Sequence, residues 1–468
     1  MALLSGVVDP LYNPRIIPRA VKRGRALPTP VLWLDAAAGN FSNQGQAGNL
    51  LDAQNGSTGG VDTNDVQVLP HNGTNYLYLP GVAGNNVTVP DLAAYTPSTS
   101  LDVRVAVAMD AVSGTQAFIG HYTASATNRS WLFMYTGTNV TLYLSTDGTT
   151  ASNFSPSVSP TITAGTVTLL RATWTASPAE VKFFQKSTTE GAAADDLVAD
   201  TGWTQVGSTI TASVPAVALA NSTVPLAVGS QSGIDLLAGR VYRVQVRSGG
   251  TTVFDANFTS LTSGAATSFT ESSANAATVT INRSTLGRKS TVVTRPTWLL
   301  GTDDYCQVAD HPLLNFLANQ DFHIVFAQRL WATNSDFRRF VSKSTDLSPT
   351  GQKGYEFRIF STGTGIQGAV GDGSAAAAQW NFYPGFSPVL TNGAVQVIGM
   401  VRSGSANTCT FNNARVGNTS TANFDMSNTA PFRISGAMDE ELFGAAVFRR
   451  PLDNAELFAL NAYIGLAS

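Results

Sequence analysis

Cysteine is nearly absent: Cys306 and Cys409 are the two in 468 residues. That count excludes a disulfide framework, and buried free thiols are the expected state of both. Charge is scarce as well, with charged residues at 13% and a formal net charge of −3. Soluble domains usually carry about a quarter, so solubility has to come from Ser, Thr, Asn and Gly, which also favour turns and strand ends. With no long basic block and no basic excess, nucleic acid is not an expected partner. No stretch approaches the ~18 apolar residues of a membrane-spanning helix. Histidine is limited to His71, His121, His311 and His323. They are scattered, and no Gly-x-Ser-x-Gly elbow accompanies them, which argues against a hydrolase triad. The short apolar stretch after Met1 has no basic residue before it, so it makes a poor secretory signal.

Apolar residues at 43% can supply a large core, and Gly 42 with Pro 21 fits many tight turns between short strands. Residues 1–30 differ from the rest. Arg15, Arg19, Lys22, Arg23 and Arg25 cluster there among Pro10, Pro14, Pro18, Pro28 and Pro30. So many prolines forbid a regular helix or a central strand. The segment is expected to be an extended arm that orders on a partner, with Leu11, Tyr12, Arg15, Ile16, Arg19 and Arg23 as contact residues. A flexible terminus without a role is the alternative.

From Val31 the pattern is all-β. Val31 to Asp35, Tyr76 to Leu79, Asp102 to Met109, Trp131 to Tyr135, Asn139 to Leu144 and Thr166 to Thr175 are strand candidates. In Arg240 to Arg247 strict alternation puts Tyr242, Val244 and Val246 on one face and Arg243, Gln245 and Arg247 on the other, predicting a half-solvated antiparallel strand. The pattern then restarts. Tyr76 to Met109 matches Thr297 to Arg329 in its order of strand, turn, strand, loop and long strand. Pro225 to Gly229 followed by Leu237 to Tyr242 resembles Pro431 to Gly436 followed by Phe443 to Val447. A repeat at this period implies two copies of one domain. The expected boundaries are an arm at 1–30, a first domain at 31–254, a connector at 255–296 and a second domain at 297–468.

The second copy ends distinctively. Phe432 to Ile434 and Leu442 to Phe448 are apolar strands. Asp453 is an N-cap with Glu456 three residues on, Leu452 and Leu457 form a hydrophobic staple, and Leu457, Leu460 and Ile464 share a helical face. This closing order resembles that of laminin-G-like domains of the concanavalin A-like jelly roll. The resemblance implies two such β-sandwiches in tandem, each of two antiparallel sheets packed face to face. The low-charge, Ser/Thr/Gly-rich style and the basic, proline-rich arm resemble bacteriophage virion proteins, minor tail proteins of actinobacterial phages above all. That implies a non-enzymatic virion component, extracellular in the particle and present in symmetric multiple copies. Other virion proteins would be held through the arm, and host-envelope glycans are a further expected contact.

Hydrolases of this fold place Glu-x-Asp-x-x-Glu on one strand, and glycosidases need paired carboxylates; that spacing does not occur. Asp439, Glu440 and Glu441 are the nearest acidic run and read as a solvated turn. No catalytic residue is assigned, although a divergent glycoside hydrolase stays as a distant alternative. Gly363-Thr364-Gly365 and Gly371-Asp372-Gly373 are loop glycines without a Walker pattern. Calcium is the metal the resemblance implies, with Asp303 and Asp304 or Asp195 and Asp196 as ligand pairs, but neither has a loop signature. Sugar binding needs an aromatic platform. The densest aromatic loop runs from Gln379 to Phe386: Trp380 and Tyr383 would stack on a sugar ring while Asn381 hydrogen-bonds. The same rings would equally close the end of a sandwich.

Overall fold

The computed structural model describes residues 30–36, 50–54, 67–125, 127–285, 288–301, 304–331, 339–344, 353–359, 366–374, 379–380, 390–412, 414–420, 424–434 and 440–463. The chain is all-β and forms two jelly-roll sandwiches. It divides into a continuous unit, His71–Arg295, and a split unit made of Met1–Pro70 with Pro296–Ser468.

Among the described residues the first strands are β1 (Leu32–Asp35), β2 (Leu50–Gln54) and β3 (Gln67–Leu69). The continuous unit follows with β4 (Tyr76–Pro80), β5 (Val87–Val89), β6 (Ser100–Met109), β7 (Thr115–His121), β8 (Trp131–Thr136), β9 (Val140–Leu144) and β10 (Ser152–Phe154). Next come β11 (Thr168–Ala176), β12 (Ala179–Lys186), helix α1 (Ala193–Val198), β13 (Thr204–Ile210), β14 (Leu226–Val228) and β15 (Ala238–Ser248). It closes with β16 (Thr251–Asn257), β17 (Ser268–Thr270), β18 (Thr278–Ile281) and β19 (Thr291–Val293). The chain then returns to the split unit through β20 (Thr297–Leu300), β21 (Asp304–Val308), β22 (Phe322–Leu330), β23 (Arg339–Ser344), β24 (Lys353–Ile359), β25 (Ile366–Asp372) and β26 (Gln379–Trp380). The last elements are β27 (Val395–Ser403), β28 (Ala406–Phe411), β29 (Ala414–Ser420), β30 (Phe432–Ile434), β31 (Glu440–Phe448) and helix α2 (Asn454–Tyr463).

In the continuous unit one sheet runs β13-β12-β11-β6-β15-β4-β19 and the other β10-β9-β8-β7-β14-β5-β18-β17. Period-2 alternation sends Val103, Val105 and Val107 of β6 and Trp131 and Phe133 of β8 into one shared core. The split unit repeats this as β29-β28-β27-β22-β31-β20-β3 over β26-β25-β24-β23-β30-β21-β2. Its core joins Ile324 and Phe326 to Phe340, Tyr355 and Phe357. Even the irregularities recur. The pairing of β15 with β6 slips at Tyr242, between Val241 and Arg243, and that of β31 with β22 slips at the matching Phe443. The pairings of β7 with β8 and of β23 with β24 each carry a shift as well. A bulge bends a strand in a defined way, so shared bulges mark shared geometry, and the duplication seen in the sequence is a duplication of structure.

The expected domain boundaries are wrong at both ends of the continuous unit. Val31 to Asp35 does not open the first sandwich: β1 pairs with β31, Leu32 opposite Val447. Likewise β2 pairs with β21 and β3 with β20. The supposed connector, 255–296, instead supplies the end of β16 and all of β17, β18 and β19 to the continuous unit, where β16 pairs with β15, β18 with β5 and β19 with β4. Those are the places that β1, β2 and β3 fill in the split unit. The split unit is therefore a circular permutant of the continuous one. The cause is local: Ser248 to Thr251 closes a tight hairpin, so β16 reaches the edge of β15 at little loop-closure cost. That edge is then filled, and β1 is left for β31, which the chain follows with a helix.

The arginine face of β15 is not half-solvated either. Helix α1 lies over it, with Arg243 donating to the Ala194 carbonyl at 3.3 Å and Arg247 to the Val198 carbonyl at 3.1 Å. Arg104, fully buried, donates to the Leu197 carbonyl at 3.3 Å, so guanidinium groups meet the negative end of that helix. In the split unit α2 covers the matching sheet, packing Leu452, Leu457 and Leu460 on Trp33, Val325 and Phe448.

Candidate functional site

One arrangement of polar side chains recurs in both sandwiches. In the continuous unit Asp91 stands two residues past β5, His121 ends β7 and Trp131 opens β8 beside it. His121 Nε2 lies 3.0 Å from Asp91 Oδ1, though off a good hydrogen-bond direction. Burial pushes the imidazole below its usual range, against the pull of Asp91 and the Val224 backbone. Trp131 Nε1 donates to the Tyr95 carbonyl at 2.8 Å, tying down the 3₁₀ turn Ala93–Tyr95.

In the split unit Asp310 stands two residues past β21, and Lys343 of β23 takes the place of His121. The register fixes the match: Gly120 faces Ala227 and Ser342 faces Arg433, each one residue before the basic side chain. Lys343 Nζ donates to Asp310 Oδ1, the Asn428 carbonyl and the Ala430 carbonyl, each at 2.8 Å. Tyr355, at the position of Trp131, donates its hydroxyl to the Leu314 carbonyl at 2.9 Å, on the 3₁₀ turn Pro312–Leu314. Ala430 corresponds to Val224, each preceding a proline, and Asn428 corresponds to Ser222. Lys343 has no exposed side-chain surface whereas Asp310 retains a third of its own. The ammonium thus loses more hydration, and burial pushes Lys343 below the ordinary lysine range. Burial tends to raise Asp310, but Lys343 outweighs it and holds the carboxyl low.

Each cluster is a clasp joining two strands to two end loops. Nothing in the sequence order announces it, because Asp310, Lys343 and Asn428 come from three separate stretches. The available signal was the duplication itself, which aligns Val89-Pro90-Asp91 with Val308-Ala309-Asp310 and Val224-Pro225 with Ala430-Pro431.

The residues singled out in the sequence do not converge on this clasp. Leu11, Tyr12, Arg15, Ile16, Arg19 and Arg23 of the arm lie outside the described residues, as do Asn381, Tyr383, Asp303, Asp439 and Gly363 to Gly365. Trp380 stands in the edge strand β26, paired with Gly368. Asp195 and Asp196 sit in the first turn of α1, where Asp196 pairs with Lys186 at 3.1 Å. Asp372 accepts from the Ser374 amide at 2.8 Å in its own turn. Glu440 and Glu441 are not a solvated turn: they open β31 and are buried, with Glu441 paired to Arg329 at 2.7 Å. Among the described residues no three His, Cys, Asp or Glu gather as a metal-binding group. Cys306 and Cys409 are free and buried, and burial pushes the Cys409 thiol up to about 12.

No family model matches the chain, and no curated protein matches it. Solved structures resemble it remotely. The binding domain of Paraclostridial Mosquitocidal Protein 1 is 15% identical over 36% of this chain, which spans 44% of that one, at a TM-score of 0.30. Domains LG4-5 of the mouse laminin alpha1 chain are 12% identical, with 84% of this chain and 92% of that chain covered, at a TM-score of 0.27. The CBM40 of the Ruminococcus gnavus IT-sialidase, bound to alpha2,3 sialyllactose, is 12% identical, with 35% and 87% covered, at a TM-score of 0.26.

Proposed function

We propose that this protein is a non-enzymatic structural component of a bacteriophage particle. It is held by its N-terminal arm, and its two sandwiches are used for contact with a host surface. The observation that supports a structural role is how the buried charges are used. Arg104 and Arg329, both buried, and the partly buried Arg243 each bind a carboxylate within their own sandwich, at 2.7, 2.7 and 2.6 Å. A charge committed to such a pair is costly to withdraw for chemistry on a substrate. Two copies of one binding-type fold in a single chain also suit attachment, since a second contact made by a tethered copy strengthens the first. The particle assignment rests on the basic, proline-rich arm and the low charge content. Peptide mass spectrometry of purified particles tests it, together with deletion of residues 1–28. The deleted chain should be lost from particles, and unchanged incorporation would sink the anchoring role.

A second reading, a pair of carbohydrate-binding modules, is favoured by the aromatic loop from Gln379 to Phe386. A glycan array on the full chain checks it: binding that Trp380→Ala abolishes supports the loop, and silence across the array refutes the reading.

A further inference from the structure

The two clasps differ in one chemical respect. The continuous unit offers an imidazole, His121, and a hydroxyl, Ser222. The split unit offers a primary amine, Lys343, and a carboxamide, Asn428. We propose that Lys343 and Asn428 become joined by an intramolecular amide bond, with Asp310 as the proton carrier.

The geometry assembles each part that such a reaction needs. Lys343 Nζ is 3.4 Å from Asn428 Oδ1, so the amine lies beside the carboxamide whose carbon it would attack. The Ala430 N–H donates to that same Oδ1 at 2.8 Å, where negative charge would develop during attack. Asp310 Oδ1, 2.8 Å from Nζ, is positioned to take its proton. Asn428 Nδ2 is fixed by the carbonyls of Lys343, Lys353 and Met426 at 3.1, 3.3 and 3.0 Å, so the carboxamide cannot swing away. Space for it depends on Gly354, where a Cβ would lie 2.6 Å from Nδ2. The amine has no solvent exposure, and that burial favours its neutral, nucleophilic form.

The step balances within the chain. Asp310 accepts a proton from the ammonium, and the free amine forms the Nζ–Cγ bond. A tetrahedral centre results, its oxygen held by the Ala430 N–H. The carried proton passes to Nδ2 and the Cγ–Nδ2 bond breaks, releasing ammonia. The second Nζ proton returns to Asp310 and leaves with the ammonia as ammonium ion. Nothing is oxidised or reduced. The continuous unit can form no such bond, since neither an amine nor an amide stands at His121 or Ser222.

Tryptic peptide mapping of the full wild-type chain tests the proposal without any variant. The expected product is a branched peptide containing Lys343 and Asn428, lighter by one ammonia, with cleavage after Lys343 lost. Linear peptides carrying Lys343 and Asn428 at full yield would overturn the bond. A branch between Lys343 and Asp310, lighter by one water, would overturn the choice of acceptor. Asp310→Asn should abolish the branched peptide while circular dichroism stays that of a folded β protein. A branch at the wild-type level in that variant would overturn the role of Asp310.

Discussion

His323 shows how one side chain can set the acid tolerance of a sandwich. It is fully buried on β22, and its partners fix its tautomer. The Leu452 N–H donates to Nδ1 at 3.2 Å, so the proton sits on Nε2, which donates to Thr410 Oγ1 at 3.2 Å. Burial, with Arg415 adding repulsion, pushes its pKa down from 6.5 to about 3. Between those values the unfolded chain binds a proton that the folded chain refuses. Stability is therefore complete above pH 6.5 and falls as the pH drops toward 3, by about 1.4 kcal/mol per unit for this one group. His121 is depressed in the same direction, so acid weakens the continuous unit too. His323→Asn keeps an acceptor near the Leu452 amide but no titrating ring. It should flatten the acid limb of the split unit's melting temperature and cost about 1–3 kcal/mol at neutral pH. Thermal unfolding at pH 7, 5 and 4 checks both. An acid limb as steep as that of the wild type would refute the assignment.

Elements whose partners lie nearby in sequence were legible, and those whose partners do not were not. Helix α2 is the clearest success. Its N-terminal box forms as the spacing of Asp453 and Glu456 predicts: the Glu456 amide donates to Asp453 Oδ1 at 2.9 Å, and the Asp453 amide to Glu456 Oε2 at 3.0 Å. Leu452 and Leu457 meet in one apolar cluster, completing the staple. Asp453→Ala should cost about 1 kcal/mol and speed amide exchange across Asn454–Tyr463, as hydrogen-exchange mass spectrometry would show. Unchanged exchange there would mean that packing alone holds the helix. The arginine face of β15 departs from the expected half-solvated one for the opposite reason. Alternation tells which way a side chain points but not what lies over it, and α1 arrives from a different connection. Glu440 and Glu441 follow the same rule, since Arg329, the partner of Glu441, lies far back along the chain.

At the level of the molecule, the repeat was legible because both copies carry the same order of strands and turns, while the strand exchange between them was not. Sequence similarity does not say which of two equivalent edges a strand will join, and that depends on which edge a hairpin has already filled. The exchange predicts how the chain can be cut. Leu69 faces Thr297 across an antiparallel pair, so residues 70 and 296 end adjacent strands, about 5 Å apart. Joining them by a short turn of about two to four residues should give a folded split unit, and residues 71–295 alone should fold as the other. Separate cooperative melts for the two fragments would bear this out, and aggregation of both would refute it. The pairing of β1 with β31 also sets a timetable. As the ribosome makes this chain, Leu32, Trp33 and Leu34 emerge about four hundred residues before the strand they dock on. At roughly 5–20 residues per second that leaves an apolar segment waiting for tens of seconds, while the whole continuous unit is made and can fold in between. A nascent chain stalled before Glu440 should therefore hold a finished sandwich beside an unclaimed strand, a natural client for a holding chaperone.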